Sequence, residues 1–192
     1  NSKTKQKIKE RAGISSKSIT ILLASEPLSK DFPFNNLIYD EYSILLLVNN
    51  AIKCLQKKNL QLIVRLHPRQ SRSEFYSFLK EKDIYNDIII SSRNMTLAQS
   101  LAIADIVIGI TSVYLVKALA LGKPTISLQF NPKLDYVQIP YLEGIKIIDP
   151  SMLDFIINQK ISNNSDTKIS LPTSSVKKVW NEIIPLLSNS NV

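Results

Sequence analysis

Short apolar runs alternate with longer stretches in which apolar residues return every three or four positions, and this rhythm continues along most of the chain. Residues 19–24, ITILLA, read as a first buried strand. Ser25, Glu26 and Pro27 break it, and a polar loop follows to about residue 36. Asp40 stands where an N-cap would, and Ile44, Leu47, Val48, Ala51, Ile52 and Leu55 recur at helical spacing. Residues 60–66 give a second strand, cut by Pro68, and residues 73–82 a helix with Phe75, Phe78 and Leu79 as its stripe. Residues 87–90 form a third strand, and Thr96 caps a short helix carrying Leu97, Leu101 and Ala102. A fourth strand at 105–110 leads into a helix at 112–121, which Gly122 ends as a C′ glycine. A fifth strand at 124–128, a long loop at 129–143 with Pro132 and Pro140, a sixth strand at 145–148 and a short helix from Pro150 complete the regular part.

Strands that alternate with helices predict a Rossmann-like, doubly wound α/β fold: about six parallel strands covered on both faces. Residues 19–160 are assigned to this domain, and residues 1–18 to a basic linker or N-terminal extension. Residues 161–192 are assigned to an Asn/Ser/Thr-rich linker and a C-terminal amphipathic helix at 175–184. That helix would place Val176, Val179, Trp180, Ile183 and Ile184 on one side, and Pro185 would end it. There is no internal repeat. The first residue is Asn1 rather than Met, which reads as an excised segment of a larger protein.

Composition narrows the picture. At 192 residues and 44% hydrophobic, the chain can bury a core, yet no apolar run is long enough to span a bilayer. One Cys and one His exclude an intrachain disulfide and a Cys/His zinc cluster. Cys54, in a helix with apolar neighbours, is expected in the core. The net charge of +8 suits anionic partners in general, with Lys3, Lys5, Lys7, Lys9 and Arg11 ahead of the first strand. These features together predict a cytoplasmic protein whose basic charge would also suit the inner face of a membrane. With four Gly, no G-x-G-x-x-G and no Walker lysine, dinucleotide binding and P-loop hydrolysis are disfavoured, and no cofactor or metal is called for. A nucleophile elbow and an RNA-binding aromatic signature are also absent, so nucleic acid is disfavoured as a partner.

In a parallel sheet, ligands bind outside the carboxyl ends of the strands. The suggestive residues follow those ends. Ser25 and Glu26 follow the first strand, His67 and Arg69 the second, Ser92 the third, and Thr111 and Ser112 the fourth. Pro68 keeps His67 extended, where an imidazole can donate to a phosphate, the favoured reading over a histidine that only shapes a turn. Arg69 adds a forked cation. Thr111 and Ser112 open a helix, where unsatisfied N–H groups favour an anion, beside plain N-capping. Glu26 could accept from a sugar or ribose hydroxyl, or be a loop carboxylate. Lys117 could reach the helix mouth or extend to solvent.

The segments LIVRLHPR (62–69), ADIVIGITS (104–112) and ALALGKPTISL (118–128) resemble the C-terminal, donor-binding half of GT-B glycosyltransferases. The likeness is to surface-polysaccharide enzymes with His-Pro and Ser/Thr-Ser motifs, polysialyltransferase-like or glycerophosphotransferase-like. ILLASEPLSKDF (21–32) is similar to the opening strand and loop of that half. The resemblance implies that His67 contacts a donor phosphate or cytidine nucleotide, that Thr111 and Ser112 bind the phosphate, and that residues 91–94 lie near the base. It also implies an N-terminal acceptor domain as partner, without which this half would bind a nucleotide-sugar donor (CMP-, CDP- or UDP-linked) but not catalyse transfer. The acidic ribose ligand of many GT-B proteins is replaced here by Lys117. A nucleotide-sugar 2-epimerase of the same fold, or a non-enzymatic nucleotide- or polyanion-binding module, are the competing readings.

Overall fold

The computed structural model describes residues 2–32, 37–57, 59–131 and 146–162. Most of the predicted loop at 129–143 with its Pro132 and Pro140, most of the linker and the helix at 175–184 lie outside these residues. Among the described residues six parallel strands form one sheet: β1 (Ile19–Ala24), β2 (Leu60–Arg65), β3 (Ile88–Ile90), β4 (Ile106–Gly109), β5 (Thr125–Leu128) and β6 (Lys146–Ile147). Their order is β3-β2-β1-β4-β5-β6, so the sheet reverses its direction of growth between β1 and β4.

This order follows from handedness. Crossovers between parallel strands are right-handed, so growth from β1 toward β3 lays helices on one face, and growth from β4 toward β6 lays them on the other. The strands show the result as strict alternation. Ile21, Leu23, Leu62, Val64, Ile106 and Ile108 face a core built with α3 (Glu41–Cys54) and α4 (Arg72–Glu81). Leu22, Ile63 and Val107 face the opposite way, against α5 (Leu97–Ile103) and α6 (Val113–Ala120). Because both faces are buried, the strands read as unbroken apolar runs. A one-turn helix, α2 (Leu28–Asp31), follows β1, and α7 (Leu153–Ser162) closes the described chain beside α3 after a 3₁₀ turn at Pro150–Met152.

The caps fall where the sequence places them. Asp40 accepts from Ser43 N at 2.7 Å. Thr96 forms a capping box with Gln99. Gly122, at φ +66°, closes α6 in a Schellman motif, with Gly122 N donating to Leu119 O and Lys123 N to Ala118 O, each at 2.9 Å. Cys54 departs from expectation. It lies two positions past Ile52, a rotation that carries it off the apolar stripe, and it is exposed.

The segment at 1–18 contains a helix, α1 (Ser2–Arg11), that packs Ile8, with Ala12 just past its end, against the second core. Its lysines fasten it to the amino ends of the strands. Asp105, just before β4, accepts from Thr20 N at 2.9 Å and pairs with Lys5 at 2.5 Å and Lys9 at 3.7 Å. Lys9 also donates to Ser18 O at 2.5 Å, and Lys123 to Ala104 O at 2.7 Å. Burial pushes the Lys9 pKa below the usual lysine value while the Asp105 carboxylate pulls it back up; burial likewise lowers Lys123.

Candidate functional site

The loops after β1, β2 and β4 meet at the carboxyl end of the sheet, beside the reversal of strand order. Crevices of open α/β sheets form at this place. Hydrogen bonds tie the three loops together. Gln70, buried, accepts from His67 N through Oε1 at 2.8 Å. Its Nε2 donates to Ser25 Oγ at 2.9 Å and to Glu26 O at 3.3 Å. The Glu26 carboxylate crosses to the β4–α6 loop. Oε1 accepts from Ile110 N at 3.2 Å and Thr111 N at 2.9 Å, and Oε2 accepts from Thr111 Oγ1 at 2.8 Å.

His67 is half-buried, and its tautomer follows from its neighbour. Arg69 N donates to His67 Nδ1 at 3.2 Å, so in the neutral ring the proton sits on Nε2. That edge is a donor suited to a phosphate or carboxylate oxygen. Ser112, not Thr111, is the N-cap of α6, and its Oγ accepts from Tyr114 N at 3.3 Å. The N–H groups of Ser112 and Val113 are ones the helix itself cannot satisfy. Thr111 instead spends its own N–H and hydroxyl on Glu26.

The remaining candidates sit differently. The Arg69 guanidinium closes on Asp31 in a two-pronged pair, 2.6 Å from Oδ1 and 2.9 Å from Oδ2. This joins the β2 loop to α2, and Arg69 reaches the site region as a surface clamp. Ser92 is exposed one strand farther out and accepts from Asn94 N at 3.2 Å. It borders a cleft of about 520 Å³ that also takes in Arg11, Arg72, Tyr76, Arg93 and Gln99. Arg72 fixes the wall of that cleft by donating to Ser91 O at 2.7 Å and to Tyr76 Oη at 3.2 Å. Lys117 is half-buried on α6.

Sequence reasoning missed two residues. Gln70 lies three positions past His67, and only its neighbourhood to a strand end could have flagged it. Glu41, buried, accepts from Ser29 N at 2.9 Å and Ser29 Oγ at 2.8 Å, and so holds α2 over the first loop. From sequence it reads only as a first-turn acid beside the Asp40 cap.

The family model of alpha-2,8-polysialyltransferase (POLYST) matches residues 1–128. None of the curated proteins matches the chain. Among solved structures, the wall teichoic acid polymerase TagF superposes with a TM-score of 0.55 at 14% identity, covering 97% of this chain and 47% of that one. The ADP-heptose lps heptosyltransferase II of E. coli gives 0.62 at 13% identity, covering 86% of this chain and 53% of that one. The catalytic domain of starch synthase IV from Arabidopsis thaliana gives 0.51 at 13% identity, with coverages of 97% and 41%. This chain therefore spans about half the length of these proteins. The likeness is one of fold, and it agrees with the Rossmann-like, GT-B half expected from the sequence.

Proposed function

Since this chain belongs to the alpha-2,8-polysialyltransferase family, we propose that it is the donor-binding half of a glycosyltransferase that uses a nucleotide-activated sugar in surface polysaccharide synthesis. The observation that carries this reading is the meeting of His67, Glu26, Thr111 and Ser112 at the reversal of strand order, through the hydrogen bonds of Gln70 and Glu26. In this reading the Nε2–H of His67 and the donors of the β4–α6 loop, from Ile110 N to the N–H groups that open α6, receive the donor phosphate. As the glycosidic bond to the sugar breaks, negative charge gathers on the departing phosphate, and preorganised donors stabilise it there. A cytidine nucleotide is the preferred leaving group. The acceptor, and the base that activates it, belong to an N-terminal domain, so this half binds its donor without catalysing transfer.

The test is thermal unfolding with CMP, CDP, UDP and GDP, for the native chain and for His67→Ala. A ligand present at about a hundred times its dissociation constant adds roughly 2.7 kcal/mol, which raises Tm by several degrees. A cytidine nucleotide is expected to stabilise the native chain selectively and to lose most of that effect in the variant. Equal response to all four nucleotides, or an undiminished response in His67→Ala, would overturn the assignment.

A further inference from the structure

Part of the β4–α6 loop that the donor-site reading gives to a phosphate, the Ile110 and Thr111 donors, already holds an anion from the chain itself. The Glu26 carboxylate takes two backbone N–H groups and one hydroxyl, all within 3.2 Å. Three donors converging on one acid is the arrangement that binds an external oxyanion, and charge-assisted bonds of this kind are strong. The Glu26 backbone is fixed independently: its carbonyl accepts from Leu28 N at 2.9 Å and from Gln70 Nε2 at 3.3 Å, and Pro27 follows. The side chain can therefore leave by rotation about its own bonds while the loop stays in place.

We propose that Glu26 is a tethered competitor for the donor phosphate, and so sets which ligands this site accepts. An entering phosphate must exchange with the carboxylate, taking Thr111 N, Thr111 Oγ1 and Ile110 N from it. A ligand without a strongly anionic group has nothing to offer in that exchange. When the carboxylate leaves, the crevice between β1 and β4 opens; when product leaves, the carboxylate returns and the donors are never bare. Apparent affinity is then the intrinsic affinity reduced by the fraction of molecules in which the carboxylate is undocked. The inference rests on the donor-site reading above for the identity of the ligand, but the exchange itself concerns any phosphate.

The experiment compares native protein, Glu26→Gln and Glu26→Ala by calorimetric titration with inorganic phosphate, CMP and cytidine. Glu26→Gln keeps shape and one acceptor but removes the charge; Glu26→Ala removes the whole competitor. If the carboxylate is docked about nine-tenths of the time, both variants should bind inorganic phosphate and CMP about tenfold more tightly. Cytidine, which carries no phosphate, should bind the variants and the native chain alike. A merely structural role would lower Tm in both variants and would not raise phosphate affinity. Unchanged or weakened phosphate binding in both variants overturns the proposal, and so does failure of every form to bind phosphate. If the variants gain affinity for phosphate but CMP binds no better than phosphate alone, the exchange stands and the nucleotide-donor reading falls.

Discussion

Thr20 Oγ1 lies in the middle of the sheet, fully buried, with no hydrogen-bond partner among the described residues. A hydroxyl stripped of water and left unanswered costs about 1–3 kcal/mol. Thr20→Val keeps the β-branched shape and removes that cost, so the urea midpoint should rise by the equivalent of about 1 kcal/mol with unchanged slope; a fall would mean that the hydroxyl has a partner in solution. The same scale shows what sequence can convey about a site. The place of His67 just past β2 was legible because the apolar run before it marks a strand end and Pro68 cuts that strand. The fate of Arg69 was not, because its partner Asp31 lies 38 residues earlier and only the folded β1 and β2 loops bring them together. The Glu26 contacts span 84 and 85 residues and were hidden for the same reason.

At the scale of elements, the strands were readable because burial on both faces leaves them uniformly apolar, and their ends moved by only a residue or so from the predicted ones. The α1 helix was not readable. Its sequence, SKTKQKIKER, has Ile8 as its one apolar residue, so nothing periodic announces it. What holds it is Asp105, which belongs to a strand start far along the chain. Close approach between elements was equally silent. A Cβ on Gly109, the last residue of β4, would come 3.3 Å from Leu115 Cδ2 and 3.4 Å from Ala24 O. Gly109→Ala therefore asks the fully buried Leu115 side chain to give way in a packed core, at an expected cost of about 1 kcal/mol. Because Ile110 and Thr111 follow directly, the variant should also weaken CMP binding, measured at a temperature where it remains folded. Full stability with native affinity would show that the contact yields without consequence.

Among the described residues, polar assemblies stand at opposite ends of one sheet: lysines around Asp105 at the amino ends, and His67 and Glu26, joined through Gln70, at the carboxyl ends. The lysine end makes stability depend on pH. For Lys9 and Lys123 burial lowers the folded pKa from 10.5, so between that lowered value and 10.5 the unfolded chain binds more protons. Stability contributed by these groups consequently rises with pH through that window, and is constant below it where both states are protonated. Lys9→Met retains the aliphatic stem without the charge. Urea midpoints taken at stepped pH toward 10.5 should show the native chain gaining on this variant; a difference that does not change with pH would exclude the effect.

Gln70 gives the other end its lasting constraint. One amide presents an acceptor to its own loop and two hydrogens to the neighbouring loop. Glutamate has the same outline but no hydrogens to give, and leucine has neither function. In evolutionary language the loops around it can lengthen, shorten and change their cargo, because each hangs from its own strand. This one position, by contrast, can drift only if two loops drift with it.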